Sequence, residues 1–284
     1  MKEVINFKQQ REIGAIITDI FKFIRVEGKT LFSLILKITG PALLAMIGSY
    51  VYYMQTTLGD IEKIIVSETL GTNTILSVFL LLISAMAFYA LIYGTVLGYI
   101  KSYIQTDGSV NPDDVSSYAK SHFFLMIGLN LLIGIITAAG IIFCVIPGIY
   151  LGVCLAMAYP IFVFERNDIG LAISNSFKLI KDEWWITFAT FIVIYLLYYL
   201  ITFIFQVPQL IYYFSKGFLM SEEISADPFA MIDWFSITLD VIAMLAQYLL
   251  FTIVIIAIAF IYFNLNEKKN FTGTLESINQ LGES

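Results

Sequence analysis

Charge is missing from this chain in long blocks, and that absence limits its fold more than any motif does. No Asp, Glu, Lys or Arg stands between Lys37 and Asp60, Glu68 and Lys101, Lys120 and Glu165, Glu183 and Lys216, or Asp240 and Glu267. A helix crossing a hydrocarbon layer needs about 20 apolar residues at about 1.5 Å rise each. Four of the blocks hold one crossing each. The block after Lys120 is too long for one. Its "IPGIY" places a Pro147-Gly148 turn signal inside it, so it reads as two helices joined by a tight turn. Six crossings result. Hydrophobic residues are 59% of the 284 and charged residues only 13%, against roughly a quarter in soluble domains. Much of the surface is therefore expected to face lipid.

Orientation follows from Lys and Arg, since acidic residues contribute little to the rule. With a cytoplasmic N-terminus, only Lys63 and Lys216 of the 16 basic residues fall outside and Lys37 lies in a span. Both termini are then cytoplasmic. The acidic balance arises partly from Asp60, Glu62, Glu68, Glu222, Glu223, Asp227 and Asp233 in the outer loops. The first apolar run, starting near Leu31, has the length of a full span and no clear small-residue cleavage site, so it is expected to stay as an anchor.

One phrase occurs twice. "IGAIITDIFKFIRVE" (13–27) and "IGLAISNSFKLIKDE" (169–183) are identical at seven of fifteen positions, and each precedes a long apolar run. In the first copy Ile13, Ile16, Ile17, Ile20, Phe21 and Ile24 form one helical stripe, with Glu12, Asp19, Lys22 and Arg25 elsewhere. Ile169, Ile173, Phe177 and Ile180 repeat it, narrowed by Ala172 and Ser176. "NPDDVSSYAKSHFF" gives a weaker third version: Asn111 suits an N-cap, Pro112 the first helical position, and Asp113 and Asp114 the first turn. Val115, Tyr118, Ala119 and His122 are its stripe. The expected fold is an all-α polytopic membrane helical bundle. It has six transmembrane helices as three hairpins, each preceded by an amphipathic interfacial helix. Its repeat-like units cover about 1–104, 105–165 and 166–270 of a single integral membrane domain, followed by a short cytoplasmic tail, 271–284. The alternative makes each surface helix the cytoplasmic end of the next span. Gly28 favours a break in the first unit, and nothing in "KDEWW" forces one in the last.

The stretch "IPGIYLGVCLAMAYPIFVFERNDIGLAISNSFKLIKDEWWITF" (146–188) resembles a bacterial membrane-protein family. This is the membrane domain fused to some glycerophosphoryl diester phosphodiesterases, with related stand-alone proteins. The Pro-Gly-Ile-Tyr turn, a Glu ending the next helix and the Trp-Trp start of the following one carry the resemblance. "REIGAIITDIFKFIR" looks like the family's opening and "AFIYFNLNEKK" (259–269) like its ending. The fused diesterase domain is absent from this sequence, so its activity does not carry over. What the resemblance implies is a bacterial inner-membrane location and a multi-span helical domain, with no known site.

Residue types restrict the chemistry. The single histidine, His122, cannot build a multi-imidazole metal centre. No Gly-rich phosphate loop, GxSxG elbow or paired intramembrane aspartates appear. Cys144 and Cys154 read as small apolar packers without a disulfide. No catalytic, cofactor-binding or metal-binding residue is assigned, no cofactor is expected, and the chain reads as a non-enzyme with no nucleic-acid partner. Four intramembrane polar positions remain as candidates: Lys37, Asn130, Asp240 and Gln247. Gly40-Pro41 and Pro160 are places for kinks. Small residues at four-residue spacing, Ala90, Gly94 and Gly98 in the second span and Gly148, Gly152 and Ala156 in the fourth, are candidate helix-packing positions. They serve contacts within one bundle or a homo-oligomer. The outer loop from Val207 to Ser236 mixes apolar anchors with acids and could dock a partner. Beyond the lipid bilayer, the expected partners are other membrane proteins. The function expected is a scaffold or regulatory subunit of a membrane complex; a small-molecule or lipid permease is the alternative.

Overall fold

A computed structural model describes residues 4–67, 71–220, 233–275 and 278. Among these, every regular element is helical. In chain order they are α1 (Ile13–Ser67), α2 (Thr72–Gln105), α3 (Pro112–Ser121), α4 (Phe123–Phe143), α5 (Val145–Ala156), α6 (Ala158–Ile161), a π-helical turn (Phe162–Arg166), α7 (Ile169–Ile180), α8 (Trp184–Leu219) and α9 (Trp234–Asn270). Six stretches are long and apolar enough to cross a membrane: 13–56, α2, α4, 145–165, α8 and α9.

Local chemistry explains the joints. Asn111 accepts a hydrogen bond from the Asp113 N–H, and Pro112 opens α3, where a missing N–H costs nothing. Asp168 caps α7 by accepting from the Leu171 N–H at 2.7 Å. Just before it, Asn167 takes a left-handed conformation (φ 53°) and ends the π turn, a geometry that Asn tolerates better than most residues. Pro160 cannot donate to the Ala156 carbonyl, and α5 stops at Ala156.

Three joints differ from the sequence expectation. The break at Gly28 does not occur: α1 runs unbroken for 55 residues, also through Gly40-Pro41. A helical glycine costs only about 1 kcal/mol, which the surrounding turns outweigh. The break instead comes at Lys181-Asp182-Glu183, where side chains from the end of α9 hold the turn. Lys268 pairs with Glu183 at 2.8 Å, Lys269 with Asp182 at 3.5 Å, and Lys269 Nζ donates to the Lys178 carbonyl at 2.6 Å. Finally, the turn expected at Pro147-Gly148 lies at Cys144, a single extended residue (φ −171°, ψ 143°). Pro147 and Gly148 sit in the first turn of α5, where proline needs no partner for its nitrogen.

The chain folds into two compact units, each drawn from separate segments. The first comprises 1–40, 86–195 and 253–284; the second 41–85 and 196–252. The first unit centres on aromatic rings. Phe7 stacks on Phe260 at 4.4 Å and meets Phe23 edge-on at 5.4 Å, while Phe23 meets Tyr103 at 5.3 Å. Tyr93 and Tyr159 stack at 3.9 Å in the same unit. The packed seam of α1 is Ile16, Ile20 and Phe23, with Phe21 exposed, a rotation of about one residue from the expected stripe. On α7 the buried side is Ala172, Ser176, Leu179 and Ile180, while Ile169, Ile173 and Phe177 of the expected stripe are half-buried. The second unit draws one segment from each of α1, α2, α8 and α9. Within it the Thr56 hydroxyl donates to Ser77 Oγ at 3.0 Å and the Tyr198 hydroxyl to the Gln247 carbonyl at 3.1 Å.

Candidate functional site

The densest polar arrangement in the second unit closes around Asp240. An acidic side chain on an apolar helix must be matched by donors, because burying an unmatched charge is costly. Three elements supply them. Tyr50 on α1 donates its hydroxyl to Oδ2 at 3.1 Å, and Tyr213 on α8 approaches both carboxylate oxygens at 3.3–3.4 Å. The Gln209 side-chain amide, one turn before Tyr213, donates to Oδ1. All three donors are neutral. Asp240 is thus held by dipoles, and the carboxylate ties α1, α8 and α9 together.

Asp233, just before α9, is built on the opposite plan. Lys216 Nζ lies 2.7 Å from Oδ2, the Tyr212 hydroxyl donates to the same oxygen at 2.5 Å, and the Ser236 N–H donates to Oδ1 at 2.8 Å. These partners, the lysine foremost, hold the Asp233 carboxyl well below the usual carboxylate range.

In the first unit the N-terminal segment is fastened to α9 through Arg11. Its N–H donates to Asn264 Oδ1 at 2.7 Å, and its guanidinium pairs with Asp19 at 2.7 Å and reaches the Phe7 carbonyl at 2.8 Å. The same group lies over the Phe260 ring at 4.9 Å. Burial lowers its pKa, and Asp19 partly restores it. A cleft of about 480 Å³ opens beside this anchor, lined by Glu12, Ile16, Ile186, Thr190 and Lys268 among others.

The four candidate polar positions are not gathered into one site. Lys37 is exposed. Asn130 buries both side-chain amide atoms with no partner among the described residues. Gln247 is engaged through its backbone carbonyl. Of the four, Asp240 is the one with a ring of partners. The small-residue stripes seat neighbours instead. A Cβ on Gly94 would lie 3.5 Å from Ala119 Cα, and one on Gly98 3.1 Å from Tyr118 Cδ1, so α3 packs directly on α2; Ala90 is fully buried. A Cβ on Gly148 would fall 2.7 Å from the Ile141 nitrogen, and one on Gly140 3.0 Å from Gly148 Cα. The sequence reading missed Gly140, because its spacing rule runs along one helix and says nothing of the facing one. Gly152 and Ala156 line an apolar cleft of about 390 Å³ with Thr137, Phe188, Phe191 and Tyr195. His122 stacks on Tyr118 at 4.2 Å, with Nδ1 3.0 Å from the Tyr118 carbonyl. Cys144 and Cys154 are free thiols, the first exposed and the second buried. The outer loop expected as a docking surface falls largely on 221–232, outside the described residues.

No family model, curated protein or solved structure matches this chain.

Proposed function

We propose that this chain is a non-catalytic integral membrane protein, a scaffold or regulatory subunit of a membrane protein complex. The observation that carries the reading is the Asp240 ring. The one candidate acid with a built environment spends its oxygens on Tyr50, Gln209 and Tyr213, binding three helices to each other. Large apolar side chains at the same time stay uncovered along α8, from Trp185 to Phe218. That surface suits lipid and the apolar flank of another membrane protein.

In this reading the six apolar stretches, 13–56, α2, α4, 145–165, α8 and α9, cross the cytoplasmic membrane of a bacterium, with both termini cytoplasmic by the distribution of Lys and Arg. The pairs α1–α2 and α8–α9 correspond to the first and third hairpins expected from the sequence. The short helices α3 and α7 lie along the cytoplasmic face. The resemblance to the membrane domain of certain phosphodiesterases points to the same location.

A permease for small molecules or lipids is the second reading. It is favoured by Asn130, whose amide is buried on α4 without a partner among the described residues and would suit a polar guest. Neither the 390 Å³ cleft nor the 480 Å³ cleft is lined by Lys37, Asn130, Asp240 or Gln247, which weighs toward the scaffold.

Purification from native membranes in a mild detergent, followed by intact-complex mass measurement, tests the proposal. A stoichiometric membrane-protein companion is expected. A lone monomer at native abundance would overturn it.

A further inference from the structure

We propose that α4 and α5 do not cross the bilayer but form a re-entrant pair, inserted into the cytoplasmic leaflet and leaving by the side it came from. This rests on the membrane reading above and revises its number of crossings from six to four.

Helix α7 sets the level of the interface. Its 12 residues span about 18 Å, short of a hydrocarbon core about 30 Å thick. Both of its flanks are polar: Asn167 and Asp168 before it, Lys181, Asp182 and Glu183 after it. Such a helix lies along an interface. Its far end is fixed at the charged end of α9 by the Lys268–Glu183 and Lys269–Asp182 pairs.

The segment from Tyr150, midway along α5, to Glu165 in the π turn is fastened near the charged end of α9 at both of its ends. At one end Tyr150 stacks on Trp184 at 5.5 Å, directly after the Glu183 turn, and its carbonyl accepts from the indole N–H at 3.5 Å. At the other end Glu165 accepts from the Tyr262 hydroxyl at 3.2 Å, and Lys101 Nζ donates to the Val163 carbonyl at 2.7 Å. Tyr262 and Lys268 are six residues apart on one helix, an axial distance of about 9 Å. Tyr150 and Glu165 are fifteen apart, which would separate them by about 22 Å along the same direction in a straight crossing helix. The two cannot agree unless the segment is turned away from the α9 axis. The breaks at Met157 and in the π turn at Phe162–Arg166 supply that turn.

Helix α4 must follow α5, because the glycines let the two backbones meet. Gly140 and Gly148 face each other, and Gly152 meets Thr137. At the base of the pair, Gly128 lies against Ile169 at the start of α7. The tip is a wedge of uncovered apolar side chains: Ile142 is 83% exposed, Phe143 89% and Ile146 76%. Exposed Lys178 and Lys181 stand on α7 and its following turn. The partner that fits is the acyl layer of one leaflet, with its headgroups at the lysines.

Single cysteines at positions 142 to 147, in a Cys144→Ser, Cys154→Ser background, test this in membrane vesicles of each orientation with a water-soluble maleimide. Control cysteines replace Ser284 and Lys216. The re-entrant pair predicts that none of the six tip positions reacts from the face that labels 216: those held in the acyl layer stay silent, and any that reach the headgroups react from the face that labels position 284. A tip position reacting with 216 overturns the proposal. Silence of all six from both faces supports it, since a crossing pair would bring its one-residue link at Cys144 to the water that labels position 216. If instead positions 284 and 216 react from one face, the membrane reading itself fails, and that result is distinct from the others.

Discussion

The Tyr99 hydroxyl donates to Glu27 Oε2 at 2.8 Å inside the first unit, where Tyr99 is fully buried and Glu27 is 1% exposed. The pair links α1 to α2 next to the ring cluster of Phe23 and Tyr103. Removing one partner of a buried hydrogen bond costs more than the bond itself contributes, because the other is left in an apolar setting. Tyr99→Phe is expected to lower stability by about 1–3 kcal/mol, and Glu27→Gln, which keeps an acceptor, by less. Thermal unfolding in detergent reads both; a Tyr99→Phe variant that melts with the wild type would mean the bond contributes nothing.

The glycine contact between α4 and α5 gives a paired test. At Gly148 an added methyl meets the Ile141 backbone, which cannot swing aside, whereas at Gly152 the nearest atom is Thr137 Cγ2 at an ordinary 3.7 Å. Gly148→Ala is expected to destabilise by about 1–3 kcal/mol. Gly152→Ala should be neutral or slightly stabilising, since alanine favours a helix by about 0.5–1 kcal/mol. Thermal melts of the two variants check this, and equal effects at the two sites would contradict the close approach.

Asp240 ranks its own partners. Asp240→Ala leaves the Tyr50, Gln209 and Tyr213 donors without their acceptor, at an expected cost of about 1–3 kcal/mol or more. Tyr213→Phe removes one long bond and should cost about 0.5–1.5 kcal/mol. Denaturant titration of the two variants checks the order, and a reversed order would show that the ring is not what Asp240 holds together.

Asp233 predicts a pH dependence with a definite sign. Its folded pKa lies below the ordinary value, so the charged form is favoured by folding. Its contribution is fully present above the unfolded carboxylate pKa of about 4 and is lost as pH falls through the depressed folded value. The stability difference between wild type and Asp233→Asn should be constant above about pH 5 and shrink on acidification. A difference that grows as pH falls would have the wrong sign.

What could be read in advance was what neighbouring residues decide. The cap of α3 needed only Asn111, Pro112, Asp113 and Asp114, and it stands where they put it. The six long apolar helices needed only the spacing of charge. The breaks were a different matter. Gly28 looks like a break in isolation and is not one, while the real break at 181–183 is held by Lys268 and Lys269, more than eighty residues away. Asp240 stood out as an acid in an apolar run, but its donors come from residues 50, 209 and 213, which no local spacing connects. The turn at Cys144 was masked by Pro147-Gly148, which serve as the start of the next helix and its contact with the last.

The fastening of the N-terminal segment to the end of α9 can close only late in synthesis. Phe7 has its stacking ring at Phe260 and Arg11 its acceptor at Asn264, and a Cβ on Gly273 would collide with the Lys8 carbonyl. None of these seats exists until residues 260 to 273 have been made, about 250 residues after Phe7 and Arg11. Until then the Phe7 ring and the Arg11 backbone lack the contacts that hold them in the folded unit.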